Sequence, residues 1–276
     1  MKKKKILIGA AVHAVLILLA LIQVLPICLV IINSFKTHRE IMANPLKIPV
    51  SLNLENYAAA WKYGKFANGF KNSLLLCICT ILIVLFCSTI AAYALSGKRM
   101  KHSGIVIIYF MMSMTVPTQM FLFPLYAAYA KLHLIGNIVA LSFILGATNM
   151  PLAVFLMRTF FMKVPSELVE AAQMDGASVG QIIRKVMMPI VSPGMITVSI
   201  LVGLSSWNEF MLSSTFLQGE RNFTAVLSFL ALKGMETTDM GLMMAGASIL
   251  VIPIILIFIS LQRYFVDGMV GGAVKG

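Results

Sequence analysis

At 276 residues, 59% hydrophobic and only 12% charged, with a mean hydropathy of +0.92, the chain excludes a soluble globular domain and belongs to the membrane class. A formal charge of +12 without any RNA- or DNA-binding signature reads as a topology signal and as contact with anionic headgroups, not as affinity for nucleic acid. Cys28, Cys77, Cys79 and Cys87 all fall in apolar runs, the four histidines are scattered, and no Walker A pattern, nucleophile elbow or paired carboxylates occur, which leaves no disulfide framework, zinc set or catalytic constellation.

The apolar runs predict six spans, each about 20 to 25 residues, the length that crosses a hydrocarbon core roughly 30 Å thick. Their expected bounds are 6–32, 72–95, 104–130, 137–161, 190–217 and 241–265, within a single transmembrane domain over 1–276. The Lys2 to Lys5 run before the first apolar stretch has the flank of a signal peptide. The apolar run is too long for one, so it reads as an uncleaved first span. An even number of spans puts both tails on one side. That side collects thirteen of the 22 cations, including Lys98, Arg99, Lys101, Arg158, Lys163, Arg184, Lys185, Arg263 and Lys275, and the positive-inside rule makes it the cytoplasmic one. Most of the remaining cations lie in one long external loop, 37–71, where Glu55-Asn56-Tyr57 and Trp61 predict an interfacial helix after an extended piece.

The second span is free of proline and ends in the small residues Ala91, Ala92 and Ala94, which suit close helix packing. Span three carries Val116-Pro117-Thr118-Gln119 near mid-membrane, and span four carries Asn149-Met150-Pro151 at similar depth. Proline frees backbone carbonyls there, so Gln119 and Asn149 are candidates to line a cavity.

Between spans four and five lies a polar interval, Val164 to Pro193. Pro165 suits a first helical position, with Glu167 in the first turn. Asp175-Gly176 stops that helix, because glycine accepts the left-handed conformation of a C-cap. Ser178 and Gln181 form a capping-box pattern that starts a second helix, with Val179, Ile182, Ile183 and Val186 as its apolar stripe and Pro189 as its end. Glu170-Ala171-Ala172, Asp175-Gly176-Ala177, Ile183 and Pro189 at these offsets resemble the EAA loop of permease subunits in ATP-binding-cassette (ABC) importers. The resemblance implies that 162–189 is a cytoplasmic coupling loop seated in a cleft of an ATPase subunit, with Glu170 a polar contact and Gly176 the bend. Met187-Met188 departs from the Leu that the family more often shows, a change of similar volume.

Span five contains Trp207-Asn208-Glu209-Phe210, similar to a segment of the sugar-importer branch. Two placements of Glu209 stand open: a carboxylate facing a polar interior, or an interfacial one if the span ends near Phe210. Asn208 and Glu209 join Gln119 and Asn149 as pathway candidates. The loop from Gln218 to Met240 is either a plain connector or an arm toward an external protein. Gln262 to Gly268 and then Gly271 to Gly276 resemble the ending of maltose-type sugar permeases, which implies that Gly272, Ala273, Val274, Lys275 and Gly276 touch the ATPase pair from a flexible tail over 266–276.

Together these resemblances imply an all-α integral membrane protein with the six-helix type I ABC importer permease fold, the second permease of a carbohydrate-uptake pair. They imply a homologous permease partner, two ATP-binding subunits, an extracytoplasmic solute-binding protein and a sugar substrate. They also imply residence in the bacterial cytoplasmic membrane with both termini inside, and no cofactor or catalysis of the chain's own, ATP and Mg belonging to the partner subunits. The same fold importing glycerol-phosphate or another small solute stays open, as does an ion-coupled secondary transporter, although Glu209 stands nearly alone as an intramembrane charge.

Overall fold

The computed structural model describes the backbone of residues 2–49, 51–97, 100–233 and 239–273, and the side chains of 8–49, 51–97, 100–233 and 239–262. Every regular element among these residues is helical. The long helices are α1 (Lys2–Asn33), α4 (Phe66–Leu95), α7 (Ile138–Phe161), α10 (Met188–Trp207) and α13 (Met240–Ala273). Among the described residues, five helical stretches are long and apolar enough to cross a membrane, or six when one bent pair is taken as a single span. The chain packs as two compact units, one of residues 1–67 and 228–253, the other of 68–227 and 254–276.

In the first unit, α1 is apolar on all sides, and its spanning window buries 0% against the rest of the chain. Past Asn33 the backbone turns into α2 (His38–Ala43), and after an extended stretch reaches α3 (Glu55–Tyr63). A polar knot holds this strap. Lys36 is only 2% exposed, and its ammonium donates to Asn33 Oδ1 at 2.8 Å and to the carbonyls of Pro45 at 3.1 Å and Asn44 at 3.3 Å. Asn56 Nδ2 donates to the carbonyls of Ser34 and Lys36, both at 2.8 Å, and Ser34 Oγ pairs with the Tyr57 hydroxyl at 2.7 Å. Tyr57, expected as an interfacial belt residue, is therefore tied inward, while Trp61 stays exposed. A Cβ at Gly241 would collide with the Lys36 carbonyl and Asn56, so α13 can begin here only without a side chain.

In the second unit, one core joins α4, α7 and α10 through Val84, Ala92, Met157, Phe160, Phe161, Val191, Val198 and Val202. Gly194 lets α10 lie directly on α7, because a Cβ there would fall inside the Phe160 ring. Arg158 Nε donates to the Leu95 carbonyl at 2.9 Å and satisfies an orphan acceptor at the end of α4. A second core gathers Leu76, Leu141, Leu145, Phe216 and Leu227 around the aromatic rings of Tyr126 and Tyr129. The polar turn Glu220–Asn222 is pinned beside it: Asn68 and Asn72 donate to the Arg221 carbonyl at 2.7 and 2.9 Å, and Asn72 also to Phe223 at 2.9 Å.

Three elements depart from the expected spans. The third is broken: α5 (Ser103–Ser113) ends early, a 3-10 turn spans Thr118–Phe121, and α6 (Leu122–Lys131) leaves at 84° to α5. Pro117 withholds its N–H and pushes Val116 out of helical geometry, so a kink becomes a break. The fifth ends at Trp207, ten residues short of Leu217, and the chain restarts in α11 (Met211–Phe216). The sixth runs on to Ala273 in place of a flexible tail from 266. Glycine weakens a helix by about 1 kcal/mol without forbidding it, and no proline follows Pro253.

Candidate functional site: the hairpin between α7 and α10

After Phe161 the chain turns through Met162–Pro165 into α8 (Ser166–Met174). Pro165 is the N-cap, extended at φ −57° and ψ 134°, one position earlier than expected. At the far end Gly176 adopts φ +76°. Its N–H donates to the Gln173 carbonyl at 3.0 Å, and the Ala177 N–H donates to the Ala172 carbonyl at 2.9 Å. This 6→1 and 5→2 pair is a Schellman motif, which satisfies the last carbonyls of α8 and brings the apolar residues on either side of the turn together. Ala172 and Ala177 are accordingly half-buried against the α4, α7 and α10 core. The motif register thus has a mechanical reading: Ala172, Gly176 and Ala177 build the turn. Glu170, Ala171 and Asp175 are exposed.

The capping box forms as the spacing predicts. Ser178 N donates to Gln181 Oε1 at 2.8 Å and Gln181 N to Ser178 Oγ at 3.4 Å, opening α9 (Val179–Gln181). Beyond the box the helix widens, a change that no residue of the sequence announces. Ile182–Met187 is a π-turn that carries α9 into α10 as one continuous stretch, with the Met188 N–H reaching back to the Ile183 carbonyl. A five-residue repeat places Ile182 and Met187 on the same inner face. Those two are fully buried, whereas Ile183 is half-buried and Val179 is exposed, so the expected stripe is displaced. Pro189 does not end a helix. It sits in the first turn of α10, where a missing N–H costs nothing.

The outer face of the hairpin is uncovered: Leu168, Met174 at 88% exposure and Val179 project beside Glu167, Glu170 and Asp175. A groove of about 780 Å³ adjoins this face, lined by Ser96, Gly97, Lys163, Glu167, Glu170 and Gln173 among others. A rigid turn, an acidic and apolar rim and an adjoining groove form a surface suited to a protein partner.

The four pathway candidates separate. Asn149 is half-buried, donates to the Leu145 carbonyl at 2.8 Å and lines two cavities, of about 440 and about 180 Å³. Gln119 is exposed in the 3-10 turn beside the larger one. Asn208 folds back onto the Leu204 carbonyl at 2.9 Å. Glu209 accepts the N–H groups of Leu212 and Ser213, both at 2.7 Å, and so caps α11. Trp207 packs edge-on against Phe70 at 5.4 Å, with its Nε1 buried and unpartnered. In the C-terminal contact segment, the backbone of Gly272 and Ala273 is helical, their side chains fall outside the described residues, and Val274, Lys275 and Gly276 lie outside them altogether.

Residues 85–271, which include the whole hairpin, match the family described as "Binding-protein-dependent transport system inner membrane component", and the chain belongs to it. It is a multi-pass membrane subunit of an ABC importer with the type I importer permease fold. Among its relatives are "Probable starch degradation products transport system permease protein AmyC" of Thermoanaerobacterium thermosulfurigenes, 32% identical over 94% of each chain, and "Arabinooligosaccharides transport system permease protein AraQ" of Halalkalibacterium halodurans, 30% identical over 94% of this chain and 93% of that one. "Melibiose/raffinose/stachyose import permease protein MelC" of Bacillus subtilis is 29% identical over 83% of each.

Proposed function

We propose that this chain is one of two homologous permeases forming the passage of an ATP-driven oligosaccharide importer in the bacterial cytoplasmic membrane, with both termini and the hairpin in the cytoplasm. The named substrates of its relatives, starch degradation products, arabinooligosaccharides and raffinose-type sugars, support the sugar class. The observation that carries the coupling role is the Schellman turn at Gly176, which holds Glu170 and Ala171 outward on a stiff hairpin continuous with α10.

In this reading two ATP-binding subunits close on ATP and Mg, an external binding protein delivers the sugar, and the chain itself catalyses nothing. The cleft of one ATPase grips the outer face of α8, with Glu170 and Asp175 as polar contacts and Ile183 and Pro189 holding the helix that leaves it. The tail residues Gly272 to Gly276 rest against the ATPase pair. Closure of that pair moves the hairpin, and α7 and α10 move with it because they share its core. A partner that held both arrangements equally could shift nothing, so the hairpin must sit differently in the inward- and outward-open states.

The test is purification of the assembled transporter with Glu170→Arg. The ATPase subunits should be lost, or ATP hydrolysis should no longer respond to the binding protein, while the chain stays in the membrane. Unchanged ATPase recovery and sugar-stimulated hydrolysis would overturn the assignment.

A further inference from the structure

A groove of about 320 Å³ lies in the second unit between α4, α10 and the stretch of α13 from Ile254 to Leu261, clear of the hairpin and of the cavities beside Asn149. Its lining keeps helical spacing. On α10 it takes Ile196, Ile200, Gly203 and Trp207, and on α4 Leu74, Cys77 and Ile81, intervals of three and four that hold to one face of each helix. The groove therefore runs along the helices, not across them. Between Ile196 and Trp207 it extends roughly 16 Å, about half the hydrocarbon thickness. The 20 residues of α10 rise about 30 Å, so Trp207, the last of them, stands near one face of the hydrocarbon, and the groove occupies the depth of one leaflet.

The lining offers nothing to a polar occupant. Cys77 Sγ donates to the Gly203 carbonyl at 3.6 Å and Ser199 Oγ to the Met195 carbonyl at 2.8 Å, so both are spent inside the chain. Trp207 Nε1 is buried, which leaves ring carbons to face the groove, and the other lining side chains are hydrocarbon. A sugar or an ion would give up its hydration here for no hydrogen bond in return. The width excludes a helix. A volume of about 320 Å³ along roughly 16 Å is a cross-section of about 20 Å², a strip about 5 Å wide. An α-helix with its side chains measures about 10–12 Å and does not enter, whereas one saturated chain, in contact with its neighbours at about 4 Å, does. The rim is open to such a chain, because Leu74 and Ile257 are both exposed.

We infer that this groove is a lipid site, which holds one acyl chain of a bilayer phospholipid along Ile81, Ile200 and Ile257, with Trp207 at the headgroup end. The chain fills a gap that would otherwise leave α10 and α13 without contact atoms on that side, and an aromatic ring is at home at the boundary where the headgroup begins. In the orientation proposed above the lipid belongs to the outer leaflet. The site goes beyond the importer reading and stands on the geometry of this chain alone.

The experiment uses the assembled transporter, purified in a lipid-free detergent and titrated with phosphatidylglycerol brominated along its acyl chains, which quenches tryptophan on contact. The emission of Trp207 is the difference between the parent and Trp207→Phe. It should fall along a saturating curve, half complete at a lipid content at least tenfold below that needed at Leu82→Trp, a position exposed on the apolar surface of α4. Ser199→Phe, which fills the groove from within, should remove the saturating part and leave the emission itself. Quenching of Trp207 that tracks Leu82→Trp would mean ordinary contact with surrounding lipid, and would overturn the inference. Absence of quenching would mean that a second chain covers the groove, and would overturn it equally. The comparison of Trp207 with Leu82→Trp requires no groove variant, so a Ser199→Phe protein that failed to fold would leave the result readable. Hydrolysis of ATP stimulated by the binding protein, measured on the same samples, reports the coupling role separately.

Discussion

The amide of Ala177 donates to the carbonyl of Ala172 at 2.9 Å across a turn that only Gly176, at φ +76°, closes without strain. The three residues form one latch, and the space around a Cβ at 176 is empty. Substitution at Gly176 is therefore opposed by backbone conformation and not by crowding. A non-glycine residue in the left-handed region costs roughly 1–2 kcal/mol, and a β-branched one suffers most. Gly176→Val should leave insertion and the α4, α7 and α10 core intact while abolishing uptake, read as transport per copy of membrane-resident protein. Normal transport in that variant would remove the latch from the mechanism.

Gly194 poses the opposite case, where space is the constraint. A Cβ would enter the Phe160 ring, so Gly194→Val should lower stability by about 1–3 kcal/mol, the usual cost of overpacking. Pairing it with Phe160→Leu should recover part of the loss. Thermal unfolding of the purified complex measures both, and additive losses in the pair would show that the two residues do not share the contact.

Glu209 invites a test that separates a cap from a pathway charge. Its carboxylate takes two backbone N–H groups at the start of α11, so Glu209→Ala should cost about 1 kcal/mol, as loss of an N-cap does. Glu209→Gln keeps an acceptor and should transport nearly as well as the parent. If the Gln variant kept its melting temperature yet stopped transporting, the charge itself would be at work.

Lys36 is a buried ammonium whose hydrogen bonds go to neutral oxygens. Lys36→Met matches its length but leaves the buried Asn33 side chain without its donor, a loss of about 1–3 kcal/mol, and returns the part-buried carbonyls of Asn44 and Pro45 to water. The strap over 37–49 should then be cut by protease much faster than in the parent, and equal cleavage rates would show that the knot holds nothing.

The same strap carries a pH signature. The Thr37 N–H donates to Glu40 at 2.8 Å and its hydroxyl at 2.9 Å, and these bonds hold the Glu40 carboxyl below its ordinary value. A depressed carboxyl contributes its stability at neutral pH and loses it as pH falls through the lowered value. The capping box should thus hold at neutral pH and weaken as pH falls below the ordinary carboxylate value, which a carboxyl titration by NMR on isotope-labelled protein would register. A Glu40 midpoint at or above the ordinary value would refute the bond.

Each element was legible in the sequence to the extent that its cause is local. Spans one, two, four and six were visible because their signal is a long apolar run, and the capping box at Ser178 and Gln181 and the bend at Gly176 were visible because they are residue-specific. The break at Pro117 was half visible: proline marked the place, but whether a helix bends or stops depends on what its neighbours can cover. The π-turn was invisible, since Ile182 and Met187 share a face only after an extra residue has been admitted into the turn. Glu209 was misleading for a related reason. Its partners are amides three and four residues on, which exist as free donors only because α10 ends at Trp207. Lys36 was hidden too, as its burial depends on a strap that folds back from Asn44 and Pro45.

The widened turn at 182–187 bears on how such chains drift apart over time. A helix that already accommodates one surplus residue can lose it, or regain it, by relaxing between two regular geometries, with little disturbance to the helices on either side. Length differences among descendants of a common ancestor should therefore collect at this point of the hairpin, and a gap appearing there in a comparison of distant cousins would mark a change of pitch, not a missing part.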